Sequence, residues 1–161
     1  MNYILLILLG ISLTSSAFEA IVTAVTDGDT VKIEYQNKTI KLRLAGIDTP
    51  ELKQEFGLEA KKALEEKVLN KKVYIDGYKK DRYGRLIADI KIGSRWINKE
   101  LIGEGYAWHY KQYSKDLELA ESESNAKKEA KGLWISHNPV PPWEYRKDKV
   151  KSNTRNLSDI K

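Results

Sequence analysis

The sequence predicts an α+β fold, and three observations carry that reading. Apolar residues alternate with period two through residues 19–25, 30–35 and 39–45. After Pro50 the apolar period lengthens to that of a helix. Two further strand patterns then lead into two more helical ones, so strands and helices fall in blocks. With 161 residues there is room for one core of ordinary size, and the chain reads as a single domain.

The first two strands are β-branched, and Asp27-Gly28 between them is a hairpin signal. Gln36-Asn37 makes the next turn. In the third strand Ile40, Leu42 and Leu44 share one face, with Lys41 and Arg43 on the other. Phe56, Ala60, Ala63, Leu64 and Val68 then fall on one helical face, while Glu59, Lys61, Lys62, Glu65 and Glu66 lie off it. Residues 73–75 and 86–92 supply two more strands around the polar insert KKDRYG at 79–84. A short helix at 98–103 and a longer one over 114–131, closed by Gly132, complete the pattern. Beyond NPVPPWEY the composition turns polar, and residues 147–161 are expected to form a disordered tail. Five antiparallel strands curled around a helix-capped end suit a five-stranded OB-type β-barrel with three helices.

The first stretch, MNYILLILLGISLTSSA, contains no Lys, Arg, Asp or Glu. Its apolar run over residues 3–13 falls short of the ~20 residues that span a bilayer. Ser15 and Ala17 are spaced like a cleavage site. Residues 1–17 therefore read as a signal peptide and 18–146 as the mature domain, exported to the periplasm or secreted, without stable membrane insertion after cleavage. A monomer is expected. The chain has no Cys, which excludes disulfides, lipid attachment at cysteine and thiolate metal sites. With 28 Lys+Arg against 23 Asp+Glu, the net charge of +5 favours polyanions, although the same balance serves plain solubility.

Asp27 and Asp29 flank Gly28, which suits a hairpin; an EF-hand fails, because its twelfth position would be Lys38. Asp29 begins one strand and Asp48 follows the end of another, so a curled sheet brings both to one rim. Converging carboxylates repel unless a cation lies between them. With a carbonyl such as that of Thr49 they form a hard oxygen set for Ca²⁺ or Mg²⁺. Only His109 and His137 are present, which disfavours zinc. Glu51 after Pro50 reads as a base for water or, equally, as a helix N-terminal acid. Arg43 and Arg85, ordinary surface arginines if taken alone, become phosphate forks beside a bound cation. Trp108, Tyr110, Trp134 and Trp143 suit base stacking, although packing is the better reading for Trp134 and Trp143.

DGDT at 27–30, RLAGIDTPE at 43–51 and DRYGR at 81–85 together resemble the staphylococcal nuclease (thermonuclease) family, in order across residues 22–134. The resemblance implies Ca²⁺-dependent hydrolysis of DNA and RNA, leaving 3′-phosphate ends. It implies that Asp29 and Asp48 are the calcium carboxylates and Thr49 the carbonyl ligand. Glu51 becomes the general base, and Arg43 and Arg85 the groups that grip the scissile phosphate. Arg82, Tyr83 and Tyr113 become substrate contacts, with Arg82 standing where the founding member has lysine. The segment 52–57 is short where that member has a longer, lysine-bearing loop.

Two rivals remain. His109, Lys111 and Asp116 fit the H-x-K-x-x-x-x-D signature of phospholipase D-type nucleases, which need no metal, but of the Gly-Ser and Asn that should follow only Ser124 is in place. A non-catalytic OB module binding nucleic acid or protein would be expected to lose the charged set, and here Asp29, Arg43, Asp48, Glu51 and Arg85 are all present.

Overall fold

A computed structural model describes residues 17–158 of the chain. The leader read over residues 1–17 thus lies, except for Ala17, outside the described residues. The chain runs β1 (Phe18–Asp27), β2 (Thr30–Tyr35), β3 (Lys38–Leu44), β4 (Ile47–Asp48), α1 (Gly57–Val68), β5 (Lys72–Lys80), β6 (Leu86–Ile92), β7 (Arg95–Trp96), α2 (Ile97–Gly103), β8 (Trp108–His109) and α3 (Leu117–Lys128). A 3₁₀ turn (Gly132–Ile135) and α4 (Pro142–Ser158) follow.

The five long strands close on themselves. Neighbours run β3-β2-β1-β5-β6, and β3 pairs with β6 in register Leu42–Leu86, Arg43–Ile87, Leu44–Ala88. That closing pair is parallel, so the barrel is mixed where the sequence suggested all-antiparallel pairing. The reason is the connection: α1 and β5 intervene between β3 and β6, and a crossover of that length permits parallel entry. β5 also runs further than the expected 73–75, because its outer half pairs with β6 past a bulge between Asp76 and Lys79 while its side chains stay exposed.

Alternation places Val22, Val31, Ile33, Leu42, Leu44, Ile75, Ala88 and Ile90 inside the barrel. α1 covers one end with Ala60, Ala63, Leu64 and Val68, the face its periodicity predicts, and α2 adds Ile97, Leu101 and Ile102. Each large aliphatic side chain so buried stabilises by about 1.5–3 kcal/mol. Asn98 ties α2 to the barrel: its Oδ1 accepts from the backbone N–H of Ile90 at 3.0 Å, and its Nδ2 donates to the Ala45 carbonyl at 2.9 Å and to Asp89 Oδ1 at 2.9 Å.

Among the described residues there are four α-helices rather than three. α4 continues through residues that read as a disordered tail. Pro142 opens it, at a first-turn position where the missing N–H costs nothing. Its first turn is held by packed aromatics that a composition count over 147–161 does not register.

Asn98→Ala is expected to lower stability by about 1–3 kcal/mol, because the buried Ile90 N–H loses its acceptor. Urea denaturation of the two proteins measures this.

Candidate active site

The Asp27-Gly28-Asp29 turn does more than reverse the chain. A Cβ at Gly28 would stand 2.6 Å from Thr49 Oγ1 and 2.9 Å from Ala60 Cβ, so the turn packs directly on the loop after β4 and on α1. The Asp29 carbonyl accepts from Leu44 N–H at 2.8 Å, and Asp29 Oδ2 accepts from Thr49 N–H at 3.1 Å. Thr30 Oγ1 donates to Asp29 Oδ1 at 3.1 Å. Across from it, β4 pairs with β8 through Asp48–Trp108, which fixes Asp48 at the end of the barrel. Both carboxylates are buried, Asp29 at 3 % exposure and Asp48 at 0 %.

Arg43, on the polar face of β3, bridges them. Its Nη1 donates to Asp29 Oδ1, and its Nη2 donates to Asp48 Oδ1 at 2.7 Å and to the Ile47 carbonyl at 3.3 Å. Burial disfavours the guanidinium charge, but Asp29 and Asp48 more than offset it and hold the group above its ordinary pKa. For Asp48 burial dominates: its carboxyl is pushed above the usual range despite Arg146 and Arg43. Burial and then repulsion from Asp29 raise Asp27 to about 6.

Glu51, half-buried beyond Pro50, joins through a residue that the sequence reading did not single out. Arg146, on the first turns of α4, donates from Nη1 to Glu51 Oε1 at 2.8 Å and Asp48 Oδ1 at 3.2 Å, and from Nη2 to Asp48 Oδ2 at 2.8 Å. The available signal was PPWEYR: a proline-opened helix with two aromatics ahead of an arginine.

Among the described residues no three His, Asp or Glu side chains gather as a metal site. The donors at hand are two buried carboxylates with backbone oxygen nearby, a set of hard oxygen atoms. That set fits a hard, oxygen-seeking divalent ion completed by water.

A model of staphylococcal nuclease homologues matches residues 41–136. The chain belongs to the staphylococcal nuclease homologue family. A staphylococcal-like nuclease of Arabidopsis thaliana is 40% identical over 126 residues, covering 75% of this chain and 39% of that protein. A protein of Haemophilus influenzae named as an uncharacterized endonuclease is 41% identical over 127 residues, covering 78% of this chain and 71% of its own length. One of Escherichia coli O157:H7 with the same description is 34% identical over 126 residues, covering 78% and 82%. The chain thus spans about two-fifths of the plant relative and most of the two bacterial ones.

The remaining motif residues of this staphylococcal nuclease homologue form a separate group. Arg85 Nε donates to Asp81 Oδ2 at 2.8 Å, and Asp81 Oδ1 accepts from the Tyr83 and Arg85 N–H groups, both at 2.9 Å. The Arg82 and Arg85 guanidinium carbons lie 4.8 and 5.6 Å from the Tyr83 ring centre. None of the three bonds to the carboxylate cluster. Because Leu86 is level with Leu42, Arg85 stands two residues behind Arg43, roughly 7 Å along the strand. Tyr113 is exposed and meets Tyr110 edge-on at 4.8 Å.

The residues of the phospholipase D-type signature have other places. Lys111 pairs with Glu123 at 2.9 Å, and Asp116 caps α3 by accepting from Leu119 N–H at 3.0 Å. His109 is 3 % exposed, and neither ring nitrogen has a hydrogen-bond partner. Burial, opposed by Glu123, lowers its pKa from 6.5.

A histidine whose folded pKa is depressed takes up its proton first in the unfolded chain, so stability is present above the unfolded pKa and falls as pH drops below it. From about pH 8 to about pH 5 the wild type is expected to lose more stability than His109→Phe, as read by urea denaturation at both pH values.

Proposed function

We propose that the protein is a calcium-dependent nuclease that hydrolyses DNA and RNA and leaves 3′-phosphate ends. The observation that carries this reading is Arg43 joining two buried carboxylates from separate loops, with Glu51 at their edge. Asp29, Asp48 and the Thr49 carbonyl would hold the calcium ion, which when bound supplies positive charge to the phosphodiester.

The chain's own groups divide the remaining work. Glu51 Oε1 accepts from Arg146, which leaves Oε2 to take the proton of an attacking water. As the new P–O bond forms, charge accumulates on the non-bridging oxygens and the bond to the 5′ oxygen breaks. That oxygen leaves as a hydroxyl, taking its proton from solvent water, and the phosphate stays on the 3′ side. Arg43 has donated from Nη1 and Nη2 only, so its Nε–H remains for a phosphate oxygen. Arg85 uses only Nε on Asp81, and its two terminal amino groups make a bidentate fork. Arg82, Tyr83 and Tyr113 offer charge and aromatic faces to the flanking nucleotides. The apolar leader supports export of the enzyme to the periplasm or beyond.

Labelled single- and double-stranded DNA incubated with the chain lacking residues 1–17 tests the proposal. Cleavage is expected with calcium and none with EDTA. Glu51→Gln and Arg85→Ala are each expected to lower kcat by about 10²–10⁴-fold. Cleavage that survives chelation but vanishes in His109→Ala would overturn the reading in favour of the metal-independent rival. No cleavage in calcium would leave a binding module.

A further inference from the structure

We propose that residues 140–146 are a clamp that positions Glu51, with Arg146 as its positioning residue; the catalytic consequence rests on the nuclease reading, whereas the contacts do not. The segment they hold is the loop between Pro50 and α1. That loop folds tightly: Gln54 N–H donates to the Glu51 carbonyl at 2.7 Å, and Gly57 N–H to the Gln54 carbonyl at 3.0 Å. A Cβ at Gly57 would lie 1.9 Å from the Glu51 carbonyl oxygen, so the loop lies flat against the start of the helix. The backbone is thus compact, but the Glu51 carboxylate itself is 43% exposed and, among the described residues, bonds only to Arg146.

Three contacts from the C-terminal segment reach this loop. Gln54 Nε2 donates to the Val140 carbonyl at 2.6 Å, Tyr145 Oη donates to the Lys53 carbonyl at 3.2 Å, and Arg146 reaches Glu51 itself. The segment is in turn anchored on the barrel end. Trp143 lies parallel to Tyr110 with ring centres 5.4 Å apart and meets Trp108 edge-on at 5.5 Å. Trp108 is the residue that pairs with Asp48. The clamp therefore refers Glu51 to the same strand pair that fixes the metal carboxylate.

An arginine suits this place for a stated reason. Glu51 and Asp48 repel one another, and the planar fork of Arg146 spans both, with two bonds to Asp48 and one to Glu51. A compact ammonium neutralises one carboxylate but does not fix the angle between two. Without the fork, the Glu51 side chain is free to rotate into solvent and is pushed away from Asp48. The family match ends at residue 136, so the clamp is built from sequence outside it.

Five proteins test this: wild type, Arg146→Ala, Arg146→Lys, Glu51→Gln and the double variant that combines Arg146→Ala with Glu51→Gln. Arg146→Ala is expected to lower kcat about 10–100-fold with KM within about threefold, since misplacing a reacting group by an ångström costs on that order. Arg146→Lys is expected to fall at least about threefold short of wild type, because the fork is lost. In the Glu51→Gln background Arg146→Ala is expected to cost less than about threefold, the mark of a residue acting through Glu51. Hydrogen exchange of residues 50–57 is expected to quicken in Arg146→Ala, and this holds whether or not the protein cleaves nucleic acid. Equal losses in both backgrounds, an effect on KM alone, full activity in Arg146→Lys, or unchanged exchange would each overturn the clamp. A wild type that cleaves nothing but shows the exchange change would instead sink the nuclease reading and keep the clamp.

Discussion

Two carboxylates buried side by side are unstable company, and the guanidinium of Arg43 is what allows Asp29 and Asp48 to share one end of the barrel. Breaking a buried ion pair by removing one partner typically costs about 3–5 kcal/mol, because the surviving charge stays in a poor solvent. The converging geometry depends on this contact. The Asp27–Asp29 turn packs on Thr49 with the Asp29 charge met by Arg43, and β4 holds Asp48 inward with its charge met by Arg43 from β3 and by Arg146 from α4. Such burial contributes little net stability compared with an apolar core. Its value lies in the chemistry of the rim.

Charge is divided by depth. Asp29 and Asp48 lie inside the barrel end, whereas Arg82 and the fork of Arg85 stand on the 81–85 loop and the paired Glu51 and Arg146 are 43% and 40% exposed at the opening. An excess of 28 basic over 23 acidic residues favours polyanions, and in the proposed reaction the buried acids would meet the phosphodiester through a cation. Arg43 lies between these layers, partnered to the acids and with its Nε–H still unused.

Strand faces were legible in the sequence because alternation reports burial directly: β2 buries Val31 and Ile33, and β3 buries Leu42 and Leu44 and half-buries Ile40. Pairing was not legible. The parallel closure of β3 on β6 is a choice of partner, and a period of two says nothing about partners. β4, β7 and β8 are too short, at two residues each, to show any period. The outer half of β5 is exposed and so lacks an apolar signature. Asp29, Arg43, Asp48 and Glu51 could be singled out because they sit at strand ends within a short span of chain. Arg146 is 98 residues from Asp48, in a polar stretch whose helix is held by its first turn, and nothing local marks it as a partner.

The most direct measurement is the anomalous signal from a crystal of the protein grown with a calcium salt. The account requires one strong peak bounded by Asp29, Asp48 and the Thr49 carbonyl, with the Arg43 guanidinium beside it. A protein whose calcium sits elsewhere, or which binds none while both carboxylates stay on Arg43, would contradict it.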